Sequence, residues 1–229
     1  MFVKDKMRPN PITVTPELPI SEAQQRMQRH HIRHLPVVDA EQHVMGLLTR
    51  ETMLQAVPWS QVALSSLETQ YILSKIKAGK VMIREVITIT EDVPVEEAAR
   101  IMVDHQIGCL PVVRDDQLVG IITDIDLLAV TMEMLGARQP GLRLSVLVPN
   151  RPGEIARLTG AIAAIHGNVT AFGTWEGELD PVSGQPRHLG LVVRVEGIAK
   201  RQLEAILAKL AEIEILDLRE MKNRELHYA

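Results

Sequence analysis

The chain has a single cysteine, Cys109, among 229 residues, and aromatic residues make up only 3% of it. One thiol cannot build an intramolecular disulfide framework, so the fold must rest on its apolar core, and a reducing compartment is implied. Any excess of positive charge is also missing. The net charge is -4 and the basic residues are spread along the chain, which leaves no stripe to neutralise a phosphate backbone and argues against DNA or RNA binding. No run approaches the ~20 apolar residues of a membrane span. The start "MFVKDKMRPNP" lacks the apolar stretch of a secretory signal, and a soluble, cytoplasmic protein is expected. Nucleophile elbows, phosphate loops and zinc helices are absent, so no catalytic residue and no enzymatic activity are expected. What remains is rich in Val, Ile, Leu, Ala and Met, a composition suited to packed layers of helix and sheet.

The chain repeats itself. "ITVTPELPISEAQQRMQRHHIRHLPVVDAEQHVMGLLTRE" lies over "VITITEDVPVEEAARIMVDHQIGCLPVVRDDQLVGIITDID" with Thr13 on Thr88 and one residue dropped before Gly46 and Gly120. Each copy reads as β-α-β-β-α. A β-branched segment precedes a helix with Pro19 or Pro94 near its first turn, where a missing N–H costs little. Val95, Ala98, Ala99 and Met102 recur at helical spacing and predict one buried face. A strand ending "LPVV", a polar turn ("DAEQH" or "RDDQ"), a second strand and a new helix follow. A three-stranded unit cannot cover its own apolar face, so the two copies, about 7–58 and 80–133, are expected to pack as one module within residues 1–136. The link includes "ETQYILSKIKAG", which predicts a helix closing on Gly79.

Beyond a Gly/Pro-rich hinge at 137–140 the plan changes. Residues 141–221 read as strand, Pro-Gly turn, helix, strand, strand, helix, strand, the split β-α-β arrangement of ferredoxin-like folds. The fold class expected for the whole chain is α+β.

The segment "GIITDID" carries the chemistry. Thr123 ends a strand, and the helix that follows offers unpaired N–H groups and the positive end of its dipole to a phosphate. Asp126, one turn on, can accept hydrogen bonds from two vicinal hydroxyls. That pairing suits a ribose phosphate. The first copy, "GLLTRET", keeps the hydroxyl as Thr49 but has Thr52 in place of Asp126 and the cation Arg50 in place of Asp124, so its cleft should be weaker or altered.

The duplicated segment resembles a tandem pair of cystathionine-β-synthase (CBS) domains, carried by "HLPVV...GLLTRE" and "CLPVV...GIITDID". The later segment resembles an ACT domain, carried by "VLVPNRPGEIARLTGAIAAIHGNVT", and the two in this order resemble the acetoin-utilisation AcuB-like proteins. The first resemblance implies an adenosine-containing effector, AMP, ADP, ATP or S-adenosylmethionine, and no obligatory cofactor. Asp126 would hold the ribose, Thr123 the phosphate or sugar edge, and Ile87, Thr88 and Pro111 would line the adenine slot. The second implies an amino-acid effector near Asn150, Gly153 and Asn168, residues that turns alone also explain. The function expected is a non-catalytic sensor, homodimeric and acting on an unidentified regulated protein. An amino-acid sensor with the CBS pair as a dimerisation scaffold is the alternative.

Three signals are discounted. His30, His31 and His34 lack a carboxylate or cysteine at matched spacing, so no metal site is expected. Cys109 lies in an apolar strand and reads as core. Asp104 and His105 are adjacent and cannot share a helix face.

Overall fold

The computed structural model describes residues 1–55, 66–179, 184 and 186–221, and of 66–70 the backbone alone. The end of the first repeat, the start of the link and part of the "GELDPVSGQPRH" connection lie outside the described residues. The chain divides into two compact units, Met1–Leu128 and Ala129–Ala229. None of the described helices is long and apolar enough to cross a membrane.

In the first unit, β1 (Arg8–Pro9) precedes a repeat made of α1 (Ile20–His30), β2 (His34–Val38), β3 (Val44–Thr49) and α2 (Arg50–Gln55). After α3 (Ser66–Lys75) and α4 (Ala78–Val81) comes a second repeat: β4 (Ile89–Thr90), α5 (Val95–His105), β5 (Cys109–Arg114), β6 (Gln117–Thr123) and α6 (Asp124–Met134). The helix expected across the link is broken in two, and Gly79 lies inside α4 instead of closing a helix. Its N–H donates to the Pro16 carbonyl at 2.9 Å. Pro19 and Pro94 are the N-caps of α1 and α5, whose buried stripes are Ile20, Ala23, Met27 and Val95, Ala98, Met102; Ala99 is only half-buried. Both helices end on a left-handed residue, His31 (φ 52°) and Gln106 (φ 54°), in equivalent places. In each case the next residue's N–H returns to a carbonyl of the last turn, Met27 or Met102, which satisfies acceptors the helix leaves open.

The length difference between the copies resides in the hairpin loops. Asp115 and Asp116 both have positive φ (50° and 64°) and make the two-residue turn that matches strand twist. The first copy uses a longer loop, in which the Asp39 carboxylate accepts the N–H groups of Glu41 (3.0 Å) and His43 (2.8 Å). Each hairpin carries a bulge at the same place, between Val37 and Val38 or Val112 and Val113.

Each hairpin is completed by chain from before the other repeat. β1, which precedes the first repeat, pairs antiparallel with β6 of the second, so the sheet order is β1-β6-β5-β4. In return Ile83, just before the second repeat, exchanges two backbone hydrogen bonds of 2.9 Å with Leu47 of β3. The exchange brings Met7 against Gly120 and Met82 against Gly46, where a Cβ would collide with the thioether. The repeats keep separate cores, one holding Leu35, Leu48 and Ile20, the other Val3, Leu110 and Ile122. A small cluster of Leu47, Cys109 and Ile121 joins them.

The second unit contains β7 (Gly141–Pro149), α7 (Glu154–Ala164), β8 (Asn168–Glu176), β9 (His188–Glu196), α8 (Lys200–Leu207) and β10 (Glu214–Met221). Its sheet is antiparallel throughout, ordered β10-β7-β9-β8, which is the split β-α-β topology. Leu158 and Ile162 of α7 and Leu203 of α8 pack with Leu144, Val146 and Val193 on one face. Glu154 opens α7, buried but paired with Arg151 (2.8 Å) and Arg157 (2.6 Å). The Arg151 hydrogen bond, ahead of Arg157, holds its carboxyl below the ordinary range.

Candidate functional site

Both repeats end their hairpin on a threonine that caps the next helix. In the first, the Thr49 N–H donates to Thr52 Oγ and the Thr52 N–H to Thr49 Oγ, each at 3.1 Å. In the second, Asp126 Oδ2 accepts both the N–H (2.9 Å) and the hydroxyl (2.6 Å) of Thr123, while the Asp126 N–H faces Thr123 Oγ at 3.4 Å. These are reciprocal capping boxes. The acid therefore does cap its helix, but with one oxygen only. Oδ1 is turned away from the box and meets Arg8, with Nη2 at 3.2 Å and Nε at 3.4 Å.

Two clefts lie against these helix starts. One, of about 420 Å³, is lined by Arg8, Asn10, Ile12, His34, Ile121 and Thr123, with Asp126 directly behind Arg8 and Thr123. The other, of about 520 Å³, is lined by Thr49, Arg50, Thr52, Val86, Ile87 and Cys109 among others. Both volumes are ordinary for small-ligand sites. Each cleft joins the threonine of one repeat to the segment before the first helix of the other, a direct consequence of the strand exchange.

The five residues expected to form one slot, Asp126, Thr123, Ile87, Thr88 and Pro111, do not all come together, while Thr49 and Arg50, expected at the other cleft, do border it. Thr49, Arg50 and Ile87 share the second cleft; Thr123 and Asp126 belong to the first. Ile87 borders the cleft of the first repeat's threonine, because the chain before α5 crosses over. Thr88 is exposed, Pro111 is buried in β5 opposite Ile121, and neither lines these clefts. In their place the first cleft has Ile12, Asn10 and Arg8. The match of "MRPNPIT" to "MIREVIT", Met7 over Met82, is the signal that the preceding segments belong to the repeat.

Arg33 bonds Asp124 across the repeats at 3.0 Å and borders both clefts. His30, His31 and His34 all line the first cleft. Burial, then the Arg33 cation, pushes His34 below its ordinary value, against the pull of Asp124. Cys109 is buried, and burial pushes its thiol up to about 12. At pH 8 the folded protein is expected to carry roughly a thousandfold less thiolate than an exposed cysteine. Labelling by an alkylating reagent should be slow in buffer and fast in guanidinium; equal rates would place the thiol at the surface.

In the second unit Gly153, at φ 93°, caps α7 with open space where a Cβ would be. The Asn150 side-chain amide donates to the Pro186 carbonyl at 3.0 Å and ties down the β8–β9 connection. Asn168 does start β8, but not beside that turn. It pairs with Glu196 at one end of β9, whereas Pro149 pairs with His188 at the other. The helix between β7 and β8 returns the chain to the opposite end of the sheet, so the three residues do not form one site.

A duplicated β-α-β-β-α unit with exchanged strands and paired clefts defines the class. Residues 3–58 and 78–133 each match the CBS domain. The chain belongs to the CBS-domain family, as a tandem pair. It is 32% identical over 127 residues to the CBS domain-containing protein YhcV of Bacillus subtilis, covering 55% of this chain and 81% of that one. A solved structure from Vibrio cholerae, named as a candidate acetoin utilization protein (AcuB), matches with 30% identity and a TM-score of 0.51 over 61% of this chain and 96% of its own. The L-aspartate semialdehyde sulfurtransferase of Methanocaldococcus jannaschii is 32% identical over 127 residues, 55% of this chain, and the chain spans 22% of that enzyme's length. CBS pairs are regulatory, ligand-sensing modules, and in relatives such as the last the matching part is a minor fraction of an enzyme.

Proposed function

We propose that this chain is a non-catalytic sensor whose CBS pair binds an adenosine-containing ligand, AMP, ADP, ATP or S-adenosylmethionine, in the cleft bordered by Thr123. The observation that carries this is the placement of Asp126, whose Oδ2 is consumed by the helix cap while Oδ1 meets Arg8, a residue that lines the cleft. Two vicinal ribose hydroxyls suit such a carboxylate oxygen, and the start of α6 supplies the dipole for a phosphate. In the cleft of the first repeat Thr52 has no charge, so one strong site per chain follows.

The module extends over 1–136, and an ACT-like domain over 141–221 adds an amino-acid input or an assembly surface beyond a hinge at 137–140. The protein works as a twofold homodimer, and ligand changes its affinity for a regulated protein by binding two conformations unequally. A role in acetoin utilisation is supported by the similarity to the Vibrio cholerae structure. Thermal unfolding against a panel of AMP, ADP, ATP, S-adenosylmethionine and, separately, amino acids tests the reading. A ligand at ~100 times its dissociation constant should stabilise by roughly 2.7 kcal/mol. A response to amino acids with none to any nucleotide or to S-adenosylmethionine would overturn it in favour of the ACT-like domain as sole sensor.

A further inference from the structure

The two clefts differ in charge as well as in their acid. Position 8 of the first cleft corresponds, by the repeat offset, to Ile83 of the second. The acid and the base thus occur together in one cleft, and both are replaced by uncharged residues in the other. Around the first cleft Arg8 and Arg33 are joined by three histidines, and among the described residues no carboxylate lines it, Asp126 lying behind Arg8. Around the second, Glu51, Glu85 and Asp124 face Arg33 and Arg50.

Arg8 has a fixed base and a loosely held head. Its backbone is pinned to β6 opposite Ile121, the Asn10 N–H holds the Val119 carbonyl at 3.0 Å, and Met7 packs against Gly120. Its side chain is 56% exposed, against 14% for Asp126. Exposed ion pairs of this kind contribute little, so ribose hydroxyls can take Oδ1 from the guanidinium at small cost. The displaced guanidinium remains on a strand it cannot leave, beside a sugar whose 5′ substituent must lie within the same small cleft. A fixed cation there favours a phosphate, by charge-assisted hydrogen bonds, and opposes a sulfonium.

Resting on the adenosine reading above, we infer that Arg8 is the specificity residue of the Asp126 cleft: it occupies the ribose carboxylate when the cleft is empty and turns to the 5′-phosphate when it is filled, so that the ligand class is a phosphorylated nucleoside.

Calorimetric titration of the full chain with AMP, adenosine and S-adenosylmethionine, for wild type, Arg8→Gln and Arg8→Lys, tests this. The wild type should bind AMP at least about tenfold more tightly than adenosine, the strength expected of one charge-assisted contact. Arg8→Gln should erase that ratio, leave adenosine unchanged or tighter, and strengthen S-adenosylmethionine, while Arg8→Lys retains the order. A purely structural role for Arg8 would move all three ligands in one direction, and that result, or an unchanged AMP-to-adenosine ratio, overturns the inference alone. Failure of the wild type to bind any of the three overturns the adenosine reading, and the inference with it.

Discussion

Asp126→Ala should lose the ligand-induced rise in melting temperature altogether, a loss of roughly 5 to 10 °C at saturating nucleotide for a unit of this size. The unliganded variant should also melt lower, because Oδ2 is the acceptor of the capping box; removing such a cap costs ~1 kcal/mol. Asp126→Asn separates the two effects. Its amide oxygen can still accept the Thr123 N–H, so the unliganded melting temperature should stay within about 3 °C of wild type while the nucleotide response falls. Differential scanning fluorimetry with and without AMP reads both. A nucleotide response that survives in Asp126→Ala would leave the carboxylate as a helix cap and nothing more.

The larger loss of stability is expected at Leu158→Ala. Leu158 is wholly buried on α7 and packs in one cluster with Leu144, Val146 and Val193. Truncating such a leucine costs ~2–5 kcal/mol, transfer free energy plus the cavity left behind. For a unit of about a hundred residues that lowers the melting temperature by roughly 10 to 20 °C. The chain has two tryptophans, and in a Trp59→Phe background Trp175, on β8, reports on this unit alone. A shift below about 3 °C would mean that the α7 face is not the core of the unit.

Much of the fold was legible because its signals are local. The stripe from Val95 to Met102 and the polar loops each depend on neighbours a few residues away, and the register of Thr13 on Thr88 needs only the comparison of one copy with the other. What could not be read is which half of the pair each segment completes. An internal repeat shows that Ile12 corresponds to Ile87; it does not show that Ile12 faces Thr123 and Ile87 faces Thr49. That assignment depends on strand exchange, set by hydrogen bonds such as Leu47 to Ile83 that no periodicity records. The same limit placed Asn168 beside Asn150. Both follow glycine or proline turns, but the direction in which α7 carries the chain puts them at opposite ends of the sheet.

The exchange also decides when the module can form during synthesis. Arg8 and Asp126 are separated by 118 positions, and Val3 fills the core of a repeat that is translated long after it. Arg8 and Pro9 therefore have no strand to pair with until β6 has been made, and Val3, whose N–H donates to the Val93 carbonyl, waits for the second repeat. Closing so long a loop slows folding more than it weakens the product. A nascent chain halted after the first repeat would be left with one edge of β3 open where Ile83 belongs. The duplicated halves are alike in sequence, yet each hairpin is completed by chain that precedes the other.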